Sequence, residues 1–287
     1  MKKLVLLLLV FVGISVSGQE YNSTLWKISG NGLEQPSYLF GTMHIMPKKL
    51  FNISNKTKEL IESCDVITFE VNMFDLSFSE KLSLASKMYL KNGSTLEQLM
   101  NRDEFTALVD FARDTLRIKE RKFMKKYNRL TPFALNSLFT AKYIGKYKMY
   151  EQEFYKLAKK NKKEITELET MAFQLSLVSD MPFETQVEYF LDVTEMSELY
   201  ELINLYRKQD LDAIYDQSEE EAEQDKEMQT FMKKFLVDRN ADWIPKIVYQ
   251  ISQHCSFIAV GAAHLPGKEG VINLLREQGY TVEPVAQ

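Results

Sequence analysis

The chain has 287 residues, of which 45% are apolar and 26% charged, with only 11 Gly and 7 Pro. This composition is typical of a globular protein with a sizeable core, and it excludes collagen-like, low-complexity and intrinsically disordered chains. The net charge of −4 provides no excess of positive charge, so a nucleic-acid partner is not expected.

The first 18 residues have the pattern of a secretory signal peptide. Lys2 and Lys3 precede an apolar run over residues 4–12, and small and polar residues follow as far as Gly18. The run is shorter than the ~20 residues that a spanning helix needs, and no later stretch approaches that length. We therefore predict cleavage after residue 18 and a periplasmic or secreted protein without stable membrane insertion. An uncleaved anchor is the alternative.

Strands are predicted at both ends of the mature chain. Residues 25–41 alternate between apolar and polar around a Gly-Asn-Gly turn, which predicts two strands. A helix containing Leu60 and Ile61 then leads to a strand over residues 65–71, and this order predicts a βαβ unit with two paired parallel strands. The last unit is a strand over residues 257–260, a helix over 270–278 and a strand over 280–285.

Between these ends the apolar residues recur with the period of a helix. The helical block extends from about residue 75 to 251 and is interrupted by one strand over residues 164–168. Ser94 and Glu97 have the spacing of a capping box ahead of one helix. We predict one α/β domain over residues 19–287, with a mostly parallel or mixed central sheet and a large helical insertion.

Two cysteines immediately precede apolar strands. Cys64 lies before the strand at 66–69 and Cys255 before the strand at 257–260. If these strands are parallel neighbours, the two thiols lie at the same end of the sheet. An exported protein could oxidise them to a disulfide, but cysteine is also a common small buried residue, so both states remain open.

Two of the three histidines have matching surroundings. Gly41 and Gly261 each end an apolar strand, and His44 and His264 each lie three residues further on, with a proline close behind. Glycine permits a sharp bend, so each histidine is delivered just beyond the carboxyl end of its strand. In open α/β sheets that edge binds ligands. His254 lacks this context and is predicted to be structural.

Two glutamates end two further strands. Glu70 follows the strand at 67–69, and Glu169 follows the strand at 165–168. An unpartnered buried carboxylate is costly, so these acids are poor core residues, and four strands would each bring a His or Glu to one edge. Such a set suits a divalent transition metal with an open water position, or a metal-free acid–base site. Glu169 also fits the first turn of a helix, where the dipole favours an acid.

One arginine joins the candidate residues. Arg239 lies in an Arg-Asn-Ala-Asp-Trp segment whose guanidinium could hold an oxyanion, while Trp243 could anchor the core. A solvent-facing arginine is the alternative. The sequence contains no P-loop, no G-x-S-x-G and no H-E-x-x-H motif, so a P-loop enzyme, an ordinary α/β-hydrolase and a zincin are not expected.

Taken together, these motifs resemble the TraB/PrgY/GumN family, closest to its bacterial GumN-like branch; the Tiki proteases are animal relatives. The resemblance runs in order through residues 39–44, 69–70, 168–170, 239–243 and 260–267. It implies an α/β fold similar to that of erythromycin esterases and the haem-binding ChaN proteins. The family pattern usually has an acid before the glutamine that follows Leu-Glu-Thr, and this chain has Phe173 and Gln174 there.

In Tiki-like members the two G-x-x-H histidines and a glutamate are the catalytic or metal-binding set for Mn- or Co-dependent peptide hydrolysis. By position these are His44, Glu70 and His264. The leading hypothesis is therefore an exported hydrolase that uses Mn²⁺, Co²⁺ or Zn²⁺ on a peptide or small-molecule substrate, with Arg239 stabilising negative charge and Glu169 as a further acid. The alternatives are a metal-free esterase with His44 or His264 as general base, and a haem- or peptide-binding protein.

Overall fold

Six strands form the central sheet of this computed structural model, which describes residues 22–191, 198–223 and 226–287. The predicted signal peptide, residues 1–18, lies outside the described residues. The strands are β1 (Leu25–Ser29), β2 (Ser37–Thr42), β3 (Met46–Pro47), β4 (Val66–Phe69), β5 (Tyr147–Lys148), β6 (Glu164–Glu167), β7 (Ser256–Gly261) and β8 (Thr281–Pro284). Of these, β3 and β5 pair separately as a short two-stranded sheet.

The sheet is mixed, and its strand order is β6-β4-β7-β2-β1-β8. Strands β6, β4, β7 and β2 are parallel neighbours, while β1 is antiparallel to both β2 and β8. The predicted α/β class with a mixed sheet is confirmed. The predicted pairing of β2 with β4 is wrong, because β7 lies between them. All six residues of β7 are buried, as expected of a strand covered on both faces in the middle of a sheet.

Fourteen α-helices are present in the part of the chain that the structure describes, and most lie between β4 and β7. They are α1 (Asn55–Ser63), α2 (Phe78–Lys87), α3 (Leu96–Leu99), α4 (Arg102–Asp114), α5 (Glu120–Lys126), α6 (Pro132–Ile144), α7 (Tyr150–Lys160), α8 (Met171–Ser179), α9 (Phe183–Leu191), α10 (Leu199–Lys208), α11 (Leu211–Glu223), α12 (Lys226–Met232), α13 (Arg239–Gln253) and α14 (Val271–Glu277). A π-helical turn, Lys233–Asp238, precedes α13, and a 3₁₀ turn, Ala262–His264, follows β7. No described helix combines the length and the apolar character that crossing a membrane requires.

Local sequence signals explain where several helices begin. Ser54 accepts a hydrogen bond from the backbone N–H of Thr57 and caps α1. The capping box of α3 lies one residue later than predicted, since Thr95 donates its backbone N–H to the side chain of Gln98. Ser94 instead completes the preceding turn through a bond from its N–H to Lys91 O. The predicted capping box is therefore present at the start of this helix, but it is formed by residues one position further along the chain.

Two hydrophobic clusters hold the fold together. The larger covers both faces of the sheet and includes the fully buried Trp26 and Trp243. The second lies within α3, α4, α5, α6 and α9 and centres on Phe123, Leu135 and Phe139. The helical block therefore has a core of its own, and it also forms one wall of the cleft described below.

The two cysteines lie side by side where β4 and β7 begin. Both are buried and free, and the thiols are hydrogen-bonded to each other. This bond, together with burial, raises the pKa of the Cys64 thiol. The expected meeting of the two residues at one end of the sheet is confirmed.

Gly41 is a close-packing position, and its replacement should destabilise the fold. A Cβ at residue 41 would lie 2.8 Å from Cδ1 of Leu265 and 3.1 Å from Cα of Ala262. We expect Gly41→Ala to lower the free energy of unfolding by about 1–3 kcal/mol, measured by urea denaturation. Gly261→Ala is the matched control, because the atoms around its Cβ lie at 3.4 Å or more. An equal loss in both variants would contradict this explanation.

Candidate active site

Four strand ends bring the predicted residues to one edge of the sheet. Because β2, β4, β6 and β7 are parallel, their carboxyl ends all face the same way. His44 lies two residues beyond β2, Glu70 directly follows β4, Glu169 lies two residues beyond β6, and His264 ends the 3₁₀ turn after β7. The structure thus gathers residues that are separated by as many as 220 positions in the sequence.

Three of these side chains converge on the space beside Gly261. A Cβ added to this glycine would lie 3.4 Å from Cδ2 of His264, 3.6 Å from Oε2 of Glu70 and 3.8 Å from Nε2 of His44. The missing side chain therefore leaves open a space that is bordered by both histidines and one carboxylate. This space is the centre of the candidate site.

His44 is the accessible histidine of the pair, and 62% of its side chain is exposed. Its Nδ1 lies 2.7 Å from Oε1 of Glu151, which also accepts a bond from the Thr42 hydroxyl at 2.6 Å. Partial desolvation favours the neutral ring, but the Glu151 carboxylate outweighs it and raises the pKa of His44 to about 9. Since Glu151 occupies Nδ1, the other nitrogen, Nε2, faces the space beside Gly261.

Glu151 is a site residue that the sequence analysis missed. It is buried at the start of α7, and its Oε2 has no hydrogen-bond partner among the residues that the structure describes. The bond and the charge of His44 lower the pKa of this carboxyl against the opposing effect of burial. An acid in the first turn of a helix is ordinary, because the dipole favours it, so nothing in the local pattern indicates a functional role.

Glu70 is fixed on both oxygens. Its Oε1 accepts bonds from Nη2 of Arg239 and Nε2 of Gln174, and its Oε2 accepts the backbone N–H of Gly261 at 3.1 Å. Burial alone would raise its pKa, but the surrounding His264, Arg239 and His44 and the Gly261 N–H lower the pKa of Glu70 to about 2. Glu70 is therefore a fixed carboxylate, and its Oε2 borders the open space.

Arg239 links the strand ends, and only 1% of the residue is exposed. Its Nε and Nη2 donate to Glu169, and Nη2 also donates to Glu70. Its Nη1 donates to Phe235 O at 2.7 Å and lies 3.2 Å from Nε2 of His264. The guanidinium also lies 4.9 Å from the Phe235 ring and 4.8 Å from the Trp243 ring. A guanidinium has five N–H groups, and these acceptors use all of them. In this arrangement Arg239 positions its neighbours and has no donor left for a substrate oxyanion.

His264 is the closed histidine of the pair. Its Nδ1 lies 2.6 Å from Oδ1 of Asn240, so Nδ1 carries the proton, and its Nε2 accepts from Arg239. Trp243 packs against the ring at a centroid distance of 4.4 Å. Burial and the positive charge of Arg239 lower the pKa of His264 to about 3, although Glu70 acts in the opposite sense. The ring is therefore neutral, and both of its nitrogens are engaged.

Glu169 supports Arg239 and is not a free acid. Trp243 Nε1 donates to its Oε2 at 3.0 Å, and Arg239 binds both oxygens. Thr170 caps α8, so Glu169 lies before the helix. The alternative prediction, which placed Glu169 in the first helical turn, is wrong. The departure from the family pattern at Phe173 does not reach the site, because this ring is exposed, whereas Gln174 binds Glu70.

A cleft of about 380 Å³ opens at this edge, and both His44 and His264 line it. A larger cavity of about 550 Å³ lies elsewhere, along α2, α6 and α8, and its lining includes no histidine, aspartate or glutamate among the described residues. His254 is exposed and does not line the cleft. Within the described residues, no group of three or more His, Cys, Asp or Glu side chains is arranged to hold a metal ion. At His264, Nε2 is bonded to Arg239.

Comparison with known proteins places the chain in a family. Residues 24–284 match the TraB/PrgY/gumN family. The chain is 32% identical over 94 residues to Metalloprotease TIKI2 of Danio rerio, covering 32% of this chain and 18% of that protein. It is 34% identical over 80 residues to a Metalloprotease TIKI homolog of Amphimedon queenslandica, covering 28% of this chain and 15% of that protein.

These matches fix the family and limit what can be transferred from it. The matched regions span less than a fifth of the length of either relative. No solved structure matches the chain, so the likeness to erythromycin esterases and ChaN proteins stays a prediction. Both relatives are named as metalloproteases, and a hydrolase is accordingly supported at the level of the family. The family match covers nearly the whole described chain, and the protein is therefore a member of the TraB/PrgY/gumN family.

Proposed function

We propose that this protein is an exported, metal-dependent hydrolase that cleaves peptide bonds in the cleft beside His44. The observation that carries the proposal is the convergence of His44 Nε2 and Glu70 Oε2 on the space left open by Gly261. The metalloprotease relatives support the reaction class. Export to the periplasm or the exterior rests on the pattern of residues 1–18 and belongs to the same proposal.

Two donors, His44 and Glu70, suit a divalent transition metal. An imidazole whose Nδ1 is held by a carboxylate and whose Nε2 is directed outward is the usual form of a metal-bound histidine, and Glu151 and His44 have this arrangement. The buried charged side chains of the site supply a second reason, since they comprise three carboxylates, Glu70, Glu151 and Glu169, and one guanidinium, that of Arg239. Once His44 has released its proton, as metal binding requires, the net charge of these groups is −2, which a divalent cation would balance.

His44 and Glu70 would hold Mn²⁺, Co²⁺ or Zn²⁺, and His264 is proposed as the third ligand in exchange for its bond with Arg239. When bound, such an ion lowers the pKa of a coordinated water and polarises a carbonyl. The protein's own contribution is to fix the ligands. Glu151 orients the ring of His44, while Arg239, Gln174 and the Gly261 N–H keep Glu70 ionised and directed at the open space.

A second candidate is a metal-free, esterase-like hydrolase, and the bond between Glu151 and His44 favours it. A carboxylate that orients an exposed imidazole is also the arrangement of a general base and its partner. Of the two histidines predicted for that role, the structure supports His44, because both nitrogens of His264 are engaged. For the same reason, His264 offers no axial position to haem in this arrangement.

The hydrolase proposal is tested with a synthetic pool of unstructured peptides and the full-length mature protein, with cleavage products identified by mass spectrometry. We expect cleavage after loading with Mn²⁺, Co²⁺ or Zn²⁺ and loss of cleavage after chelation. Calorimetry should show about one bound ion per chain, and His44→Ala should abolish this binding because it removes the accessible ligand.

His254→Ala is the control for that substitution, since it removes an exposed histidine outside the site and should leave both measurements unchanged. Full metal occupancy in His44→Ala would contradict the ligand assignment. Cleavage that survives chelation would select the metal-free candidate. A wild-type protein that cleaves nothing in the pool would count against both hydrolases.

Glu151→Gln is expected to separate the two mechanisms. The substitution keeps the shape and the hydrogen-bond acceptor beside His44 but removes the charge. Loss of a carboxylate behind a metal-bound histidine lowers metal affinity by about 10–100-fold. In the metal-free enzyme the same change lowers kcat and leaves metal titrations without a signal. Unchanged metal affinity together with unchanged kcat would show that Glu151 has no part in either mechanism.

Glu153→Gln is the matched control, because Glu153 also lies in α7 but pairs with Lys148 and Lys156 at the surface. An ion pair of this kind contributes little to stability. This variant should retain the metal affinity and the kcat of the wild type. A similar loss in both variants would point to a general weakening of α7.

The two histidines should titrate very differently in the metal-free protein. NMR of the ring resonances should show a midpoint near pH 9 for His44 and a neutral ring for His264 from pH 5 to 8. His44→Gln assigns the signals. Because the folded-state pKa of His44 is raised, its proton stabilises the fold fully below pH 6.5, and this contribution is lost as the pH rises to about 9. A midpoint near 6.5 would contradict the coupling to Glu151.

A further inference from the structure

We propose that the cleft beside His44 selects peptides by an uncharged, apolar side chain adjacent to the scissile bond. This inference rests on the proposed function, because it assigns the substrate class of the same site. It concerns the walls of the cleft, which neither the motifs nor the relatives describe.

The walls that lie opposite the sheet edge are apolar. Helix α10 supplies two half-buried leucines and the ring of Tyr206, α11 supplies Ile214, and the π-helical turn before α13 supplies two more side chains. The apolar side chains of these three elements are Leu199, Leu202, Tyr206, Ile214, Phe235 and Leu236. A ligand side chain placed here would remove apolar surface from water on several sides, which favours an aliphatic or aromatic group.

The cleft lining lacks acidic and strongly basic side chains among the described residues, and this disfavours a charged side chain on the ligand. The described residues that line the cleft include no Asp, Glu, Lys or Arg. The titratable side chains of this lining are His44, His264 and Tyr206, and the Tyr206 hydroxyl donates to Gly41 O at 2.8 Å. An ionised ligand side chain would lose its hydration here and gain no oppositely charged partner within the apolar wall.

Three polar side chains of α6 form a further part of the cleft and suit a peptide main chain. Asn136, Ser137 and Thr140 line the cleft from α6, and their spacing places them on neighbouring turns of the helix. The side-chain N–H groups of Asn136 can donate to a peptide carbonyl. The Ser137 and Thr140 hydroxyls donate to Phe133 O and Asn136 Oδ1, and their oxygens can accept from a peptide N–H. One wall therefore fits an apolar side chain, and the other fits the backbone that carries it.

The size of the cleft is consistent with this occupant. About 380 Å³ lies at the lower end of the range for small-ligand sites, so the cleft accepts a few residues of an extended chain. Both histidines lie in the same lining as the apolar wall. The selected side chain would thus be next to the bond presented to His44 and would not occupy a remote anchor site.

The test measures binding separately from cleavage. Labelled nine-residue peptides, identical except for Leu, Phe, Asp or Lys at the central position, are titrated into His44→Ala protein by fluorescence anisotropy. We expect the Leu and Phe peptides to bind at least about tenfold more tightly than the Asp and Lys peptides. Leu202→Lys, added to the same protein, should reverse the order in favour of Asp by placing a cation in the apolar wall.

Ser137→Trp provides a variant at an exposed position that does not depend on repacking a leucine. The bulky ring should obstruct the cleft and weaken all four peptides about tenfold, whereas Ser83→Trp, at an exposed position of α2 outside the cleft lining, should change none of them. Equal binding of apolar and charged peptides, no binding of any peptide, or affinities that neither Leu202→Lys nor Ser137→Trp alters would overturn the proposal.

The cleavage pool gives the second readout for the wild-type protein. Apolar residues should be enriched beside the cleaved bond. Cleavage without that enrichment would overturn the apolar selection and leave the hydrolase proposal intact. Apolar selection in the binding assay without any cleavage would support the apolar selection and count against the hydrolase proposal.

Discussion

The buried ion cluster around Arg239 is the interaction on which the site depends. One guanidinium, at the start of α13, joins the ends of β4 and β6 through Glu70 and Glu169 and reaches the turn after β7 at His264. Three strand ends and a helix are thereby fixed relative to one another. Removing either partner from a buried pair leaves an uncompensated charge, at a cost of about 3–5 kcal/mol. The same bonds of Arg239 therefore stabilise this edge of the sheet and fix the positions of the site side chains.

The cluster also explains how two histidines in matching sequence contexts acquire different chemistry. Beside His264 the nearest charge is the cation of Arg239, and burial adds to its effect, so that ring stays neutral with both nitrogens bonded. Beside His44 the nearest charge is the anion of Glu151, and the ring is largely exposed, so its pKa is raised and its Nε2 faces the cleft. Glu70 lies between them and borders the open space. The fold thus produces one fixed and one available imidazole from a duplicated motif.

Sequence alone predicted the parts that depend on local pattern. Strand periodicity and the residues after each strand were enough to place His44, Glu70, Glu169 and His264 at one edge, because parallel strands must end together. The strand order was not predictable, since the pairing of β7 between β2 and β4 depends on contacts that span most of the chain. Glu151 was missed for a related reason: its partner His44 is 107 positions away, and its helix position suits an acid without any partner.

The two glycines show where matching sequence hides different physical roles. Gly41 has no room for a side chain, because Leu265 and Ala262 pack against it, so its role is to let β2 approach the turn after β7. Gly261 has room, and the atoms that border it are those of His264, Glu70 and His44. A side chain there would occupy the space on which the chemistry converges without disturbing the core. The first G-x-x-H motif therefore contributes its glycine to packing and its histidine to the cleft, whereas the second contributes its glycine to the open site and its histidine to the frame that Arg239 holds.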